Sequence, residues 1–367
     1  MIYLDNAATT YPKPACVYEA VNKGMLHYSF NSGRGSYKAA TNTFKMIEET
    51  RQKIGSLIKV SSRSVIFTSS ATESLNNIIY GLNLVKSDTV FVSPFEHNAV
   101  IRTLKNVGCS IVVMPFDRKT WKLDYEKLND LYVLKHPKAT IISHISNVTG
   151  FELPYEQIFK LSHQYKSINV LDCAQSFGIY SVSPVDADFI VFAGHKSLYA
   201  MFGIAGYINI NQMPLAIYKA GGTGSDSLNE EMPADFPYRY EAGSMNSVGI
   251  YSLNISLSYL STKKFDIMEN SLTKYLIDKL SEVDKVLIYL PESTMSRGIV
   301  SFNIQGYSAD EVGTILSEDY DICVRTGYHC APLIHDFIGS KPYHGTVRVS
   351  LGIFNTKEEI DFLINAI

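Results

Sequence analysis

From Ser64 onward the chain alternates short apolar runs with helical segments, and that alternation constrains the fold more than any other feature. Val65–Thr68 precedes a helical pattern from Thr72, and Val90–Ser93 precedes one from Asn98. Ile111–Met114 leads through a loop to Tyr125–Val133, and Thr140–Ser143 leads to Tyr155–Tyr165. Asn169–Leu171 precedes a further such segment from Ala174, and Phe189–Phe192 and Gly206–Ile210 complete the series. Apolar strands separated by helices predict βαβ units and a mostly parallel sheet covered on both faces, an α/β architecture. Ligands of such sheets sit at the carboxyl ends of the strands, and the polar motifs of this chain fall there.

The flanks have other textures. Asp5–Thr10 is a small-residue turn followed by Pro12 and Pro14, after which a helix is expected with Val17, Ala20, Val21 and Met25 on one face. The glycine-bearing loop Phe30–Ser36 precedes a long helical pattern, Tyr37–Ile58. Gly221–Tyr240 carries glycine, proline and acidic residues without periodicity and reads as a long irregular loop. Helical stretches then run from Asn246 to Leu260 and on to about Leu280. Strands at Val286–Tyr289, Ile299–Asn303, Ile322–Val324 and Thr346–Val349 mix with helices at Ala309–Leu316 and Lys357–Ala366. We therefore expect a large domain over residues 14–249 and a smaller α+β domain over 250–367, joined by the N-terminal segment 1–13. A chain of 367 residues is long enough for both.

Composition narrows the partners. A net charge of −3 gives no electrostatic reason to expect nucleic acid or an anionic membrane surface. The apolar runs have strand length and fall short of a membrane span. No basic region followed by an apolar stretch opens the chain. The five cysteines are scattered without CxxC pairs, which fits neither a disulfide framework nor a zinc ribbon. A cytoplasmic setting follows as the expectation.

Several polar groups end the apolar strands. Asp188–Tyr199 runs from a strand into Ala193-Gly194 and delivers His195 and Lys196. A lysine held out of bulk water there can lose its proton and add to a carbonyl cofactor. Asp172 ends another apolar strand, where an unpaired carboxylate would be costly and a protonated pyridine nitrogen would satisfy it. Gln175 follows three residues on, within reach of a ring hydroxyl. Asp172 and Lys196 lie about one βαβ step apart, which brings them to adjacent strand ends. Ser69–Ser74 opens a helix and reads either as a phosphate site or as an ordinary cap. His97 can lie on a cofactor ring or be a structural histidine, and Asn147 can donate to a ring oxygen or hold its turn.

Near the C-terminus, Arg325 and His329 surround Cys330 and would favour its thiolate. Arg348 offers a planar fork to a substrate carboxylate. A metal site built from Cys323, His329, Cys330, His335 and His344 matches no defensible zinc spacing, so none is expected. Cys16, Cys109, Cys173 and Cys323 lie in or beside apolar runs and read as packing residues.

Taken together, YLDNAATT, FTSSATES, EHNAV, SNVTG, LDCAQS, GHK, YEAGSMN, RTGYHCAP and RVSLGIFNT resemble, in order, the motifs of the cysteine desulfurases. These are fold-type I pyridoxal 5'-phosphate (PLP) enzymes of the class V aminotransferase group, and the likeness spans essentially the whole chain. The short RTGYHCA loop is similar to the subgroup related to selenocysteine lyases. The resemblance implies the PLP-dependent transferase fold and conversion of L-cysteine to L-alanine, or of L-selenocysteine by the related lyases. Another class V aminotransferase or lyase, or a non-catalytic PLP-binding sulfur-relay scaffold, are the alternative readings. By the same resemblance Lys196 would hold the cofactor aldehyde and move protons, Asp172 would pair with the ring nitrogen, and His97 would stack on the ring. Asn147 and Gln175 would touch the ring oxygen or the substrate. Ala71, Thr72 and His195 would contact the cofactor, the last two at its phosphate. Arg348, with Arg325, would bind the substrate, and Cys330 would take the sulfur and pass it to a protein acceptor. A homodimer is also implied, with Ser244 reaching the other subunit's phosphate. Ala193 and Met245 depart from the family pattern. Ala193 replaces a hydroxyl residue, and one lost contact to a charged phosphate is worth about 1.5–3 kcal/mol.

Overall fold

The computed structural model describes the chain except Arg34 and residues 225–227 and 292–295. Arg34 falls in the expected Phe30–Ser36 loop and 225–227 in Gly221–Tyr240, so those parts lie outside the described residues.

Among the described residues seven strands build the main sheet: β1 (Val65–Thr68), β2 (Thr89–Val92), β3 (Ser110–Val113), β4 (Ala139–Ser143), β5 (Ile168–Asp172), β6 (Phe189–Ala193) and β7 (Ala205–Asn209). Their spatial order is β1-β7-β6-β5-β4-β2-β3. Only β7 runs against its neighbours, pairing antiparallel with β1 and β6, so the expected mostly parallel sheet is present. Side chains of a strand alternate between faces, and both faces are covered. Ile190 and Phe192 of β6 enter one core with Ile158 and Phe159 of helix Tyr155–Gln164. Phe189 and Val191 enter the other with Leu75 and Ile78 of helix Ala71–Gly81. This double burial explains why the strands read as unbroken apolar runs.

Two local expectations change. The crossover from β5 to β6 carries no helix; residues 173–188 form turns in which Phe177 and Val182 plug the core and Gly178 adopts φ +88°. Asp172 and Lys196 nonetheless end adjacent parallel strands. The first helix, Ala15–His27, buries Val17, Ala20 and Gly24, whereas Met25 is 62% exposed. The reason is a close approach: a Cβ on Gly24 would stand 3.1 Å from Val248 Cγ1 of the facing helix Ser247–Leu260.

The second sheet contains β8 (Val286–Ile288), β9 (Ile299–Ile304), β10 (Arg325–Gly327) and β11 (Thr346–Ser350) in the order β10-β11-β9-β8, all antiparallel. Helices Phe265–Ser281, Ala309–Tyr320 and Lys357–Ala366 close its core with Leu276, Val312, Leu316, Ile360 and Leu363. Ser308 and Thr356 start two of these helices with reciprocal capping boxes. The N-terminal strand Ile2–Tyr3 pairs parallel with Ile322–Cys323, and Leu4 joins this smaller core. The expected division at 250 runs through helix Ser247–Leu260, whose Ile250, Leu253, Leu257 and Leu260 belong to the large core. Among the described residues no helix is long and apolar enough to cross a membrane.

Candidate active site

At the carboxyl ends of the main-sheet strands lies a cavity of about 100 Å3, lined by residues including Ala71, Thr72, His97, Asn147, Asp172, Gln175, Ala193, His195 and Lys196. The register produces this convergence. Ser143, which also lines the cavity, pairs with Asp172, and Asp172 with Val191 two residues before Ala193.

Asp172 is buried, and its Oδ1 accepts one hydrogen bond, from the Ala174 amide at 2.9 Å. Burial pushes its carboxyl above the usual range, opposed by that bond and by Lys196. Burial likewise pulls Lys196 down to about 8; Asp172 opposes this, while Arg348 and Arg325 reinforce it. The amine donates no hydrogen bond to a described residue, so it is held ready for a bonding partner in the cavity.

His97 caps helix Asn98–Val107, its Nδ1 accepting from the Ala99 amide at 3.0 Å. Burial and nearby cations hold the ring neutral, with its pKa lowered to about 3. With Nδ1 an acceptor, the ring proton sits on Nε2. His195 stacks on Phe202 at 4.6 Å, and its buried Nδ1 has no partner among the described residues. Burial lowers its pKa to about 4. Helix Ala71–Gly81 begins beside the cavity; Ser70 caps it by accepting from the Glu73 amide, and first-turn amides have no intrahelical partner.

These groups fit PLP. The buried, underbonded Asp172 matches a ring nitrogen carrying a proton, and Lys196 matches an aldehyde. The orphaned His195 Nδ1 and the helix start match a phosphate. Ala193, at 1% exposure, contributes no hydroxyl.

Asn147 and Gln175 reach the cavity already engaged. Gln175 Nε2 donates to Ala7 O at 3.0 Å. Asn147 Nδ2 donates to His329 O at 2.7 Å, and its own carbonyl accepts from Arg348 Nη1 at 2.9 Å. Asn147 thus ties the main sheet to the turn bearing Cys330. That turn is strained, since His329 and Cys330 both take left-handed backbone angles, φ 45° and 56°. Asn98 N donates to Cys330 O at 2.6 Å, which anchors the turn beside the His97 cap. Cys330 is exposed, and Arg325 Nη2 stands 3.7 Å from its sulfur.

The expected role of His329 changes. Its ring is buried and bonded through Nε2 to Thr346, and burial with Arg348 nearby drives its pKa well down. A neutral ring turned to Thr346 cannot stabilise a thiolate; Arg325 is the cation in contact with Cys330. Ser244 stands apart from the cavity on a separate depression of about 840 Å3, so the single chain does not bring it to the other residues. Its loop is fixed by Glu241, which accepts from the buried Arg51 and from Phe67 N at 2.7 Å. Among the described residues no group of His, Cys, Asp or Glu is arranged to hold a metal ion.

Sequence reasoning missed two partners. Asp5 bonds Arg348 Nη2 at 2.5 Å, across 343 residues of chain. Glu96 is fully buried, accepts from Ser93 and from the Ser143 amide and hydroxyl, and is pushed up to about 7 by burial. Glu96 was visible as the neighbour of His97; Asp5 carried only the signature of a turn.

The Aminotransferase class-V family model matches residues 2–363. The chain is 30% identical to a probable cysteine desulfurase of Methanothermobacter thermautotrophicus, covering 99% of this chain and 92% of that protein. It is also 30% identical to a cysteine desulfurase of Escherichia coli O157:H7, covering 100% of this chain and 92% of that protein. Among solved structures, a cysteine desulfurase of Thermococcus onnurineus in its apo form superposes with a TM-score of 0.90 at 28% identity, covering 99% of this chain and 93% of that one. A cysteine desulfurase of Escherichia coli gives 0.85 at 25% identity, with the same coverage.

Proposed function

The chain belongs to the class-V aminotransferase family, and we infer from that membership that it is a PLP-dependent cysteine desulfurase converting L-cysteine to L-alanine. The observation that carries the reading is the meeting of Lys196 and Asp172 in one cavity, with the Cys330 turn tied to its rim through Asn98 and Asn147.

PLP, when bound, supplies an electron sink for the pair released at the substrate Cα. Asp172 holds the ring nitrogen's proton, and the neutral His97 offers its ring face and Nε2–H without adding charge. His195 and the start of helix Ala71–Gly81 take the phosphate. Arg348 receives the substrate carboxylate. Lys196, lowered to about 8, exists partly as the free amine near neutrality and takes the proton from the substrate Cα. Cys330 Sγ, as thiolate beside Arg325, attacks the substrate sulfur: the S–S bond forms, the substrate Cβ–S bond breaks, and its electron pair stays with the carbon skeleton. Protonation of that skeleton gives alanine. Cys330 keeps the sulfur as a persulfide until an acceptor thiol removes it.

The acceptor is a protein thiol; the alternative reading, a selenocysteine lyase, uses the same site, since selenium differs from sulfur at the one atom Cys330 attacks. The chain works as a homodimer in the cytoplasm. Support for the dimer comes from apolar Phe30 and Phe44, exposed on the depression that carries Ser244. Replacing Cys330→Ala leaves the visible absorbance of the bound cofactor unchanged and abolishes sulfide release from L-cysteine. Sulfide production that survives the change contradicts the role of Cys330.

A further inference from the structure

The residue assigned to the substrate carboxylate already holds a carboxylate from the chain itself. Arg348 is 1% exposed. Its Nη1 donates to Asn147 O at 2.9 Å and its Nη2 to Asp5 Oδ1 at 2.5 Å, while its buried Nε has no partner among the described residues. Arg325 lies directly across the strand pair from it and adds like charge. Asp5 is therefore what offsets a buried cation that has a second cation for a neighbour.

Asp5 is not loose. It bridges to Ser350, two residues beyond Arg348, and the segment after it is clamped to the site. Ala7 N donates to Ser350 Oγ at 2.9 Å, and Ala7 O accepts from Gln175. Thr9 and Thr10 hydroxyls donate to His195 O at 3.1 and 3.2 Å, and Lys13 Nζ donates to the same carbonyl at 3.4 Å. The N-terminal segment thus connects Arg348 to the backbone that presents Lys196.

We propose that Asp5 is a positioning residue that occupies the guanidinium fork of Arg348 in place of the substrate's carboxylate, and that it sets the affinity for amino-acid substrates by yielding part of that fork when one binds. The proposal rests on the reading of Arg348 as the carboxylate receptor. A guanidinium has five N–H donors, so Nε and the second hydrogens of the Nη atoms remain for a ligand. Two carboxylates on one guanidinium repel, so each substrate bound works against Asp5. Without Asp5, Arg348 would be a buried cation awaiting an anion, and the substrate would relieve the whole of that penalty.

The test compares the holoenzyme with Asp5→Asn, Asp5→Glu, Arg348→Gln and the Asp5→Asn/Arg348→Gln pair. Readouts are KM and kcat for L-cysteine, and calorimetric binding of L-alanine and of ethylamine, which lacks the carboxylate. Asp5→Asn lowers KM and the L-alanine Kd by about tenfold, the worth of one charge-assisted contact, with ethylamine binding unmoved. Asp5→Glu restores the ordinary KM. Arg348→Gln raises KM and the L-alanine Kd and also spares ethylamine. A merely structural Asp5 gives the opposite sign: Asp5→Asn raises KM and lowers kcat, which overturns the proposal while Arg348 keeps its role. If Arg348→Gln leaves L-alanine binding unchanged, the reading of Arg348 fails instead. If Asp5→Asn alone does not fold, the pair decides. A folded pair with the KM of Arg348→Gln supports a partnership confined to Arg348, and a pair that also fails to fold overturns it.

Discussion

The two halves of the proposed site are built in opposite ways. Asp172 ends a buried parallel strand, Lys196 follows the adjacent one, and His97 caps a helix, all over a sheet with a core on both faces. Cys330 stands exposed on a turn with two consecutive left-handed residues, anchored by hydrogen bonds and by the buried Ala331 that follows it. The contrast suits the chemistry. A cofactor must be met by groups that do not reorganise, because preorganised charge is what lowers the barrier. A sulfur carrier must face first the substrate and then an acceptor outside, so its nucleophile needs exposure and some freedom.

The largest effect should fall on the rigid half. Lys196→Ala is expected to lose cofactor retention and at least about 10³-fold in turnover, read from the visible spectrum and from alanine production. Asp172→Asn keeps the shape of the strand end but not the charge, and should cost about 10²-fold in kcat while the fold, followed by circular dichroism, is unchanged. Asn147→Ala tests the tie between the halves. It frees the His329 carbonyl and should lower kcat/KM for L-cysteine by about tenfold with the cofactor still bound. If that loss instead accompanies loss of cofactor, Asn147 belongs to the rigid half alone.

Acid acts on both halves, since His329 beside Cys330 is lowered by burial just as His97 and His195 are. His97 and His195 have folded-state pKa values lowered to about 3 and about 4, against about 6.5 when unfolded. Between those limits the unfolded chain binds more protons, so their contribution is intact above about pH 6.5 and fades as pH falls towards 4. Glu96 and Glu269, raised to about 7 and about 8, act in the opposite sense, so the histidine part is read as a difference in thermal melting: His195→Asn should lose less stability than the parent from pH 7.5 to 5. The smallest effect is one of order: mild alkylation should reach Cys330 before Cys109 and Cys173, whose thiols are buried and pushed upward. Peptide mapping after brief iodoacetamide treatment reads that order directly.

The contrast also decides what the sequence made legible. Strands that are apolar on both faces announce themselves locally, so the polar residues that end them, Asp172 and His195-Lys196, could be placed before the fold was known. The small-sheet half is assembled by distant pairings. Arg348 to Asp5, and Asn147 to His329 O, join residues that no local pattern relates. His329 beside Cys330 invited the wrong role for the same reason, because only the register of β11 shows that its ring turns to Thr346. The missing helix between β5 and β6 escaped notice because a plug of Phe177 and Val182 satisfies the same core without helical periodicity.

The central claim is that the exposed half takes the sulfur that the buried half releases. Mass spectrometry of the non-reduced protein after a single turnover with L-cysteine tests it most directly. The account predicts one added sulfur atom on the peptide carrying Cys330, formed in equal amount with alanine. Alanine released with the added sulfur on another cysteine, or on none, would contradict it.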